Sequence, residues 1–239
     1  MTSEFAAQTT MPSAQMNNPF ALWARLFSLL LLLVGIGIFL FITLRPVQVL
    51  PRITLAPGYA LMDQHGEQVT SEDMRGRIVL YDMTYTHCGE GCVSTTPIMQ
   101  AVQSRLGEIE AGDIPITLVT ISVDAERDTP EALQAYAAKS NPDGGDWRFV
   151  TGDPKRLKWV VGGGFGVYYR ADDPDAMKLD PAFMLVDGAG LLRAEYRTAV
   201  PDVDILLRDI RLVAEEANNS EGSARVAYEA AHLFLCYPR

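Results

Sequence analysis

The 239-residue sequence predicts an α/β fold, a mixed sheet with helices on both faces, behind one N-terminal helix of membrane-spanning length. Three observations predict it. Residues 26–44 are apolar and uncharged apart from Ser28 and Thr43, with Gly35 and Gly37 as further interruptions. Beyond them, strand-length apolar segments alternate with helix-length segments. The chain then closes on a hairpin pattern and an amphipathic helix.

The apolar run fits a spanning helix, which needs roughly 20 residues. A cleaved signal peptide has a shorter apolar region, about 7–15 residues, and a small-x-small cleavage site. This run ends instead in Leu44-Arg45-Pro46, so a retained transmembrane helix over residues 20–45 is expected, held in the lipid bilayer. Residues 1–19, rich in Thr, Ser, Gln, Asn and Met, read as a disordered tail. One arginine, Arg25, precedes the helix and two, Arg45 and Arg52, follow it. That count leans towards a cytoplasmic C-terminal domain.

About 190 residues remain, enough for one domain with its own core. After Arg52 the chain carries 17 basic against 29 acidic residues. Such a surface repels a phosphate backbone and excludes nucleic acid as a partner.

Each element of the domain follows from pattern. Residues 52–62 alternate and end in the turn cluster Asp63-Gln-His-Gly66, a short hairpin. Residues 78–84 form a buried strand. After the cysteine segment a helix runs to about Glu110, with Ile98, Val102, Leu106 and Ile109 on one face. Residues 116–123 are a central strand. Asp128-Thr-Pro-Glu131 reads as a capping box opening a helix through Ala138. A short strand at 147–150 precedes a helix that starts at Asp153-Pro154 and ends in glycines 162–164. Residues 183–186 and 191–196 flank Asp187-Gly-Ala-Gly190 as a hairpin, and 202–216 is an amphipathic helix. After the linker 218–222, residues 223–237 form a further amphipathic segment.

Of three cysteines, Cys88 and Cys92 lie four apart and Cys236 stands alone. Three are too few for a disulfide scaffold. A dithiol directly after the first central strand and before a helix is the thioredoxin arrangement. Only the thiolate attacks disulfides or binds soft metals, and a helix N-terminus lowers its pKa from about 8.5. With Pro97 in the first turn and Thr96 as N-cap, both cysteines fall in the preceding loop. A helix beginning near Gly89 would instead put them about 5–6 Å apart on one face. A disulfide needs Cβ atoms about 3.5–4.5 Å apart, and Gly89 and Gly91 give the loop freedom to close that gap. Two thiolates at this reach also chelate one soft ion, Cu(I) above all. The spacing serves redox and metal roles alike.

At this point the residues resemble the SCO (SenC) family of membrane-anchored copper chaperones for cytochrome oxidase. The likeness covers about residues 58–213. It includes Asp63-Gln-His-Gly66, Gly76-Arg-Ile-Val-Leu80, Tyr85-Thr-His-Cys-Gly-Glu-Gly-Cys92, Ile121-Ser-Val-Asp-Ala-Glu-Arg-Asp-Thr-Pro-Glu131, Trp147-Arg-Phe-Val-Thr-Gly152 and Phe165-Gly-Val-Tyr168. The resemblance implies a thioredoxin-like domain over 50–217 on the extracytoplasmic side of a cell membrane. It implies copper held by Cys88 and Cys92 with a histidine from the loop before the late hairpin. It also implies a role in loading copper into a respiratory oxidase, or in keeping that site's cysteines reduced.

The sequence departs from the family where the third ligand belongs. That position falls at Leu179, and no histidine lies between 88 and 231. The segment Asp180-Pro181-Ala-Phe-Met-Leu-Val-Asp187 resembles instead that of thiol-disulfide oxidoreductases, in which a cis-proline opens the strand facing the dithiol. Pro181 is therefore a candidate site residue. His87 adjoins Cys88 as a candidate donor or ligand, against the reading of a solvated loop residue. Asp124 and Asp128 are candidates to line the thiol pocket, Asp128 also capping its helix. His65 reads as a surface turn residue and Met184 as core. His232 and Cys236, at i and i+4 on the C-terminal segment, either fold back to supply the missing ligand or belong to an apolar tail packed on the domain.

Three functions compete: a copper chaperone of oxidase assembly, a metal-free thiol-disulfide oxidoreductase, and a structural subunit of a respiratory membrane complex.

Overall fold

A computed structural model describes residues 19–44, 47–87, 94–142, 144–173, 176–220 and 222–234. The chain divides into two compact units, Met1–Pro46 and Val47–Arg239. The first contains helix α1, Pro19–Leu44. Its span Leu22–Leu44 has mean hydropathy 2.8 and none of it is buried. At about 1.5 Å per residue it is long enough to cross a hydrocarbon core of about 30 Å. The expected tail at 1–19 lies, apart from Pro19, outside the described residues.

The second unit is built on an eight-stranded mixed sheet. Its strands are β1 (Thr54–Leu55), β2 (Ala60–Asp63), β3 (Gln68–Thr70), β4 (Ile78–Thr84), β5 (Ile116–Ser122), β6 (Trp147–Thr151), β9 (Phe183–Val186) and β10 (Leu191–Tyr196), in the order β1-β10-β9-β4-β5-β6-β2-β3. A separate hairpin pairs β7 (Tyr169–Asp173) with β8 (Ala176–Leu179). The helices are α2 (Thr96–Arg105), α3 (Pro130–Ser140), α4 (Pro154–Leu157), α5 (Val203–Asn218) and α6 (Gly222–Phe234).

β4 organises the sheet. All seven of its residues are buried, as a strand covered on both faces requires. It runs parallel to β5 and antiparallel to β9. Alternation sends Leu80 into one apolar layer with Met99, Val102, Phe149, Leu206 and Ile210, under α2, α3 and α5. It sends Val79, Tyr81 and Met83 into the other, with Val160, Val161 and Phe165. The expected mixed sheet with helices on both faces is thus the observed one.

Three local expectations change. The hairpin expected at the Asp63–Gly66 turn is present as β2 and β3, with β2 also paired to β6, but the start of the same stretch, β1, joins β10 at the opposite edge of the sheet. Alternation identifies strands but not their partners. The helix opening near residue 128 is capped by Thr129, whose side chain accepts from the Ala132 amide. Asp128 is free for another task. After α4 the chain winds into a π-helical segment, Lys158–Gly164.

The end of the domain where β4 begins is tied by a buried ionic cluster. The Arg193 guanidinium, 2% exposed, donates to the carbonyls of Pro51 and Leu50 and to the carboxylates of Asp187 and Glu216. Glu216 also accepts from Arg52 at 3.0 Å and meets His232 Nε2 at 2.8 Å. Burial pushes the Glu216 carboxyl up, but Arg193, His232 and Arg52 outweigh it and hold the group below its ordinary value. Its contribution is present above the ordinary glutamate range and is lost as pH falls through the lowered value. Replacing Arg193 by Met removes the buried cation that Asp187 and Glu216 share, leaving Glu216 to Arg52 and His232 and Asp187 to two backbone amides; breaking a buried pair from one side costs about 3–5 kcal/mol. Urea unfolding at pH 7 should show that loss.

Candidate functional site

The segment that leaves the carboxyl end of β4 begins Tyr85-Thr86-His87 and resumes at Ser94, before α2. Cys88 and Cys92 lie between, outside the described residues, as does Cys236. What surrounds their attachment points is defined in detail.

Asp128, fully buried, fixes the departure of this segment. Its Oδ2 accepts from the Thr86 amide at 2.9 Å and from the Ser122 hydroxyl. Its Oδ1 accepts from the Thr86 hydroxyl at 2.5 Å. One carboxylate therefore ties the end of β5 to the residue two past β4. Thr86 Oγ1 also meets His87 Nδ1 at 2.9 Å. Thr86 Oγ1 and Asp128 Oδ1 thus face the Nδ1 edge of the His87 ring, at 2.9 Å and 3.5 Å.

His87, Asp124 and Asp128 bring their ligand atoms within 4.8 Å of one another. Asp128 is bonded as described, and Asp124 Oδ2 accepts from Arg127 Nε at 2.5 Å. The imidazole beside Cys88 is a donor type that suits copper or zinc. The His87 side chain is 54% exposed, so the ring is reachable.

Other candidates fall as follows. Leu179 ends β8 opposite Tyr169 of β7 and packs against the core. The Tyr85 hydroxyl donates to the Met177 carbonyl at 3.3 Å, tying this hairpin to the thiol segment. Pro181 stands two residues before the Asp82–Phe183 pair of β4 and β9, at the end of the sheet where β4 finishes. Its expected cis peptide is absent: among the described residues every peptide bond is trans. The Asp180 amide donates to the Tyr168 carbonyl at 3.0 Å, so the turn closes with the lower-energy isomer.

His232 is corrected outright as a ligand for this site. It is bonded to Glu216 in the cluster at the opposite end of β4. A seven-residue strand, about 23 Å at about 3.3 Å per residue, separates the two ends. The helix carrying it packs where the chain enters the sheet, with Ala231 buried and Glu229 reaching Arg52 at 3.3 Å. Met184 is core and His65 lies exposed in its turn, as expected.

A cleft of about 830 Å3 opens beside Asp124, lined by Val123, Lys158, Trp159, Tyr169 and Met177. Trp159 is largely exposed at its rim.

Sequence reasoning missed Asp82. This carboxyl is wholly buried in the middle of β4. Oδ2 accepts from the Thr95 hydroxyl and Oδ1 from the Thr120 hydroxyl, which in turn accepts from Trp147 Nε1 at 2.8 Å. Burial pushes the group up to about 6, against the pull of the Thr120 and Thr95 hydrogen bonds. The available signal was a single carboxylate inside an otherwise apolar strand.

With this geometry in view, the relatives are informative. A model of the SCO1/SenC family matches residues 49–215. The chain belongs to that family. An SCO1 protein homolog of Bacillus subtilis (strain 168) is 31% identical over 94 residues, covering 39% of this chain and 47% of that protein. The chain thus aligns with about half the length of that relative. The structure of BsSco, described as a member of the Sco family of cytochrome c oxidase assembly proteins with a disulfide switch, superposes with TM-score 0.60 at 24% identity, covering 69% of this chain and 96% of that one. Arabidopsis thaliana ScoI with copper bound gives TM-score 0.58 at 23% identity, covering 69% and 98%. At these identities the superpositions establish the Sco thioredoxin-like fold.

The Asp82 carboxyl has a measurable consequence. Its raised pKa means the folded state holds a proton that the unfolded chain releases near pH 4. Its favourable contribution is present below that value and is lost as pH rises through about 6. The shift corresponds to about 3 kcal/mol. Asn does not titrate, so the stability of Asp82→Asn relative to the native chain should rise by about 3 kcal/mol between pH 4 and pH 7. Denaturant unfolding of both proteins at the two pH values measures this.

Proposed function

We propose that this chain is a membrane-anchored Sco protein that supports copper-site assembly in a respiratory oxidase, with Cys88 and Cys92 as its working dithiol. On this reading residues 20–45 anchor the protein, 50–217 form the working domain on the extracytoplasmic side, and 218–239 are a linker and packing segment. The partner is a cytochrome oxidase or another respiratory membrane complex. Support for the partner comes from the family and from BsSco, named as an oxidase assembly protein. Support for copper as cargo comes from the copper-bound ScoI structure and from the donor types present here.

The observation that carries the reading is the placement of His87. Its exposed imidazole stands one residue from Cys88, with Thr86 Oγ1 at 2.9 Å and Asp128 Oδ1 at 3.5 Å from Nδ1. Two thiolates and one imidazole form a set suited to Cu(I). Loss of the family's histidine at Leu179 is then offset by His87, its ring oriented from behind by a hydroxyl and a carboxylate, as metal-binding histidines are elsewhere.

A second reading has its own support. Leu179 puts a hydrocarbon at the family's ligand position, and disulfide exchange needs no third ligand. On this reading the dithiol reduces a partner's disulfide, with Pro181 beside it. Copper titration separates the two. Full-length reduced protein, titrated with Cu(I) against a chromogenic chelator, should bind one equivalent. Cys88→Ser and Cys92→Ser should each abolish that binding, and His87→Ala should weaken it by about 10-fold or more. Unchanged affinity in His87→Ala removes the imidazole from the set; no tight binding by the native chain leaves exchange as the function.

A further inference from the structure

We infer that the cleft beside Asp124 is where a partner protein docks, and that it receives an extended partner segment carrying bulky apolar side chains and carboxylates. The inference rests on the proposed role in assembling another protein's copper site, and it names the chemistry of that partner.

The cleft stands at the end of the sheet where β4 finishes. Asp124 lines it and also belongs, with His87 and Asp128, to the group whose ligand atoms lie within 4.8 Å of one another. The β7–β8 hairpin supplies another wall through Tyr169 and Met177, and the Tyr85 hydroxyl donates to the Met177 carbonyl at 3.3 Å. A segment held in the cleft is therefore held beside the residues that leave β4.

Shape favours a chain segment. The volume of about 830 Å3 lies within the range of about 300–1,000 Å3 typical of ligand sites, with room for more than one side chain. A concave space of this kind admits an extended peptide, whereas a flat bilayer surface reaches only its rim. The local fold also leaves an aromatic ring in water. Lys158 turns inward, its Nζ donating to the Tyr169 carbonyl at 2.5 Å and lying 3.9 Å from the centre of the Tyr169 ring. Trp159, next in the π-helical segment, is 72% exposed at the rim. Covering so large an apolar ring removes it from water, and tryptophan is enriched among the residues that dominate interface energies.

Charge selects the partner. Arg127, Lys155 and Lys158 line the cleft against Asp124 and Glu126, and Asp124 is already paired with Arg127 at 2.5 Å. The chain beyond Arg52 carries 17 basic against 29 acidic residues. A cationic recess in an acidic surface attracts a negatively charged segment to the cleft while the surrounding surface repels it.

The full-length chain labelled with 5-fluorotryptophan, in detergent, reports occupancy by fluorine NMR, the Trp159 signal being the one missing from Trp159→Phe. The probes are two acetylated peptides, Glu-Leu-Phe-Glu-Leu-Phe and Lys-Leu-Phe-Lys-Leu-Phe. The acidic peptide should shift the Trp159 signal saturably. The basic one should leave it unmoved, even while binding the acidic surface elsewhere. Lys155→Glu should weaken the acidic peptide about 10-fold or more. Trp159→Ala should do the same, read by the anisotropy of a fluorescein-labelled peptide. An equal response to the two peptides, or unchanged affinity in either variant, overturns the inference. So does a Trp159 signal that moves instead when phosphatidylglycerol is added to phosphatidylcholine nanodiscs, which assigns the rim to lipid headgroups. A signal that moves with protein concentration alone assigns the cleft to a second copy of the chain, and overturns the inference equally. Cu(I) titration of the same samples keeps the two proposals apart. A chain that binds copper but not the acidic peptide overturns the docking inference alone; one that binds the peptide but no copper supports it and removes the copper reading.

Discussion

The carboxylate of Asp128 holds the carboxyl ends of the two central strands together, and the geometry of the site depends on it. It gathers one amide and two hydroxyls from the ends of β4 and β5. These bonds fix where the chain leaves β4, and they place His87 Nδ1 2.9 Å from Thr86 Oγ1. A polar residue at 0% exposure is tolerable here only because every donor near it is satisfied.

Two ends of one strand carry different tasks. Where β4 begins, Arg193, Asp187, Glu216, Arg52 and His232 lock the chain entry, the β9–β10 turn, α5 and α6 into one network. Where it finishes, hydroxyls and carboxylates shape a reactive segment. The histidine of the C-terminal helix belongs to the first group, which explains why it offers nothing to the thiols.

The family relationship and the departures from it have a common physical basis. The sheet, its strand order and the acidic loop are set by packing and hydrogen bonding that many side chains share. The β7–β8 hairpin, which carries Leu179, packs on the core through Leu179, Met177 and Tyr169. The imidazole beside Cys88 belongs to a different element, so its availability is independent of the loss of the family's histidine.

The sequence by itself determined the membrane-length helix, the alternation of strands and helices, the buried β4 and β5, the late hairpin and the dithiol's place between strand and helix. These follow from periodicity and residue chemistry within short windows. Only the tertiary structure decided the rest. It separated residues 52–62 into opposite sheet edges, because pairing partners are chosen by register across the whole sheet. It took Asp128 from the helix cap and gave the cap to Thr129, because two hydroxyls and an amide from distant strands compete for that carboxylate. It placed His232 at the far end of β4 and Asp82 under α2. Those positions depend on which residues meet across 13 to 177 places in sequence, and no local pattern encodes them.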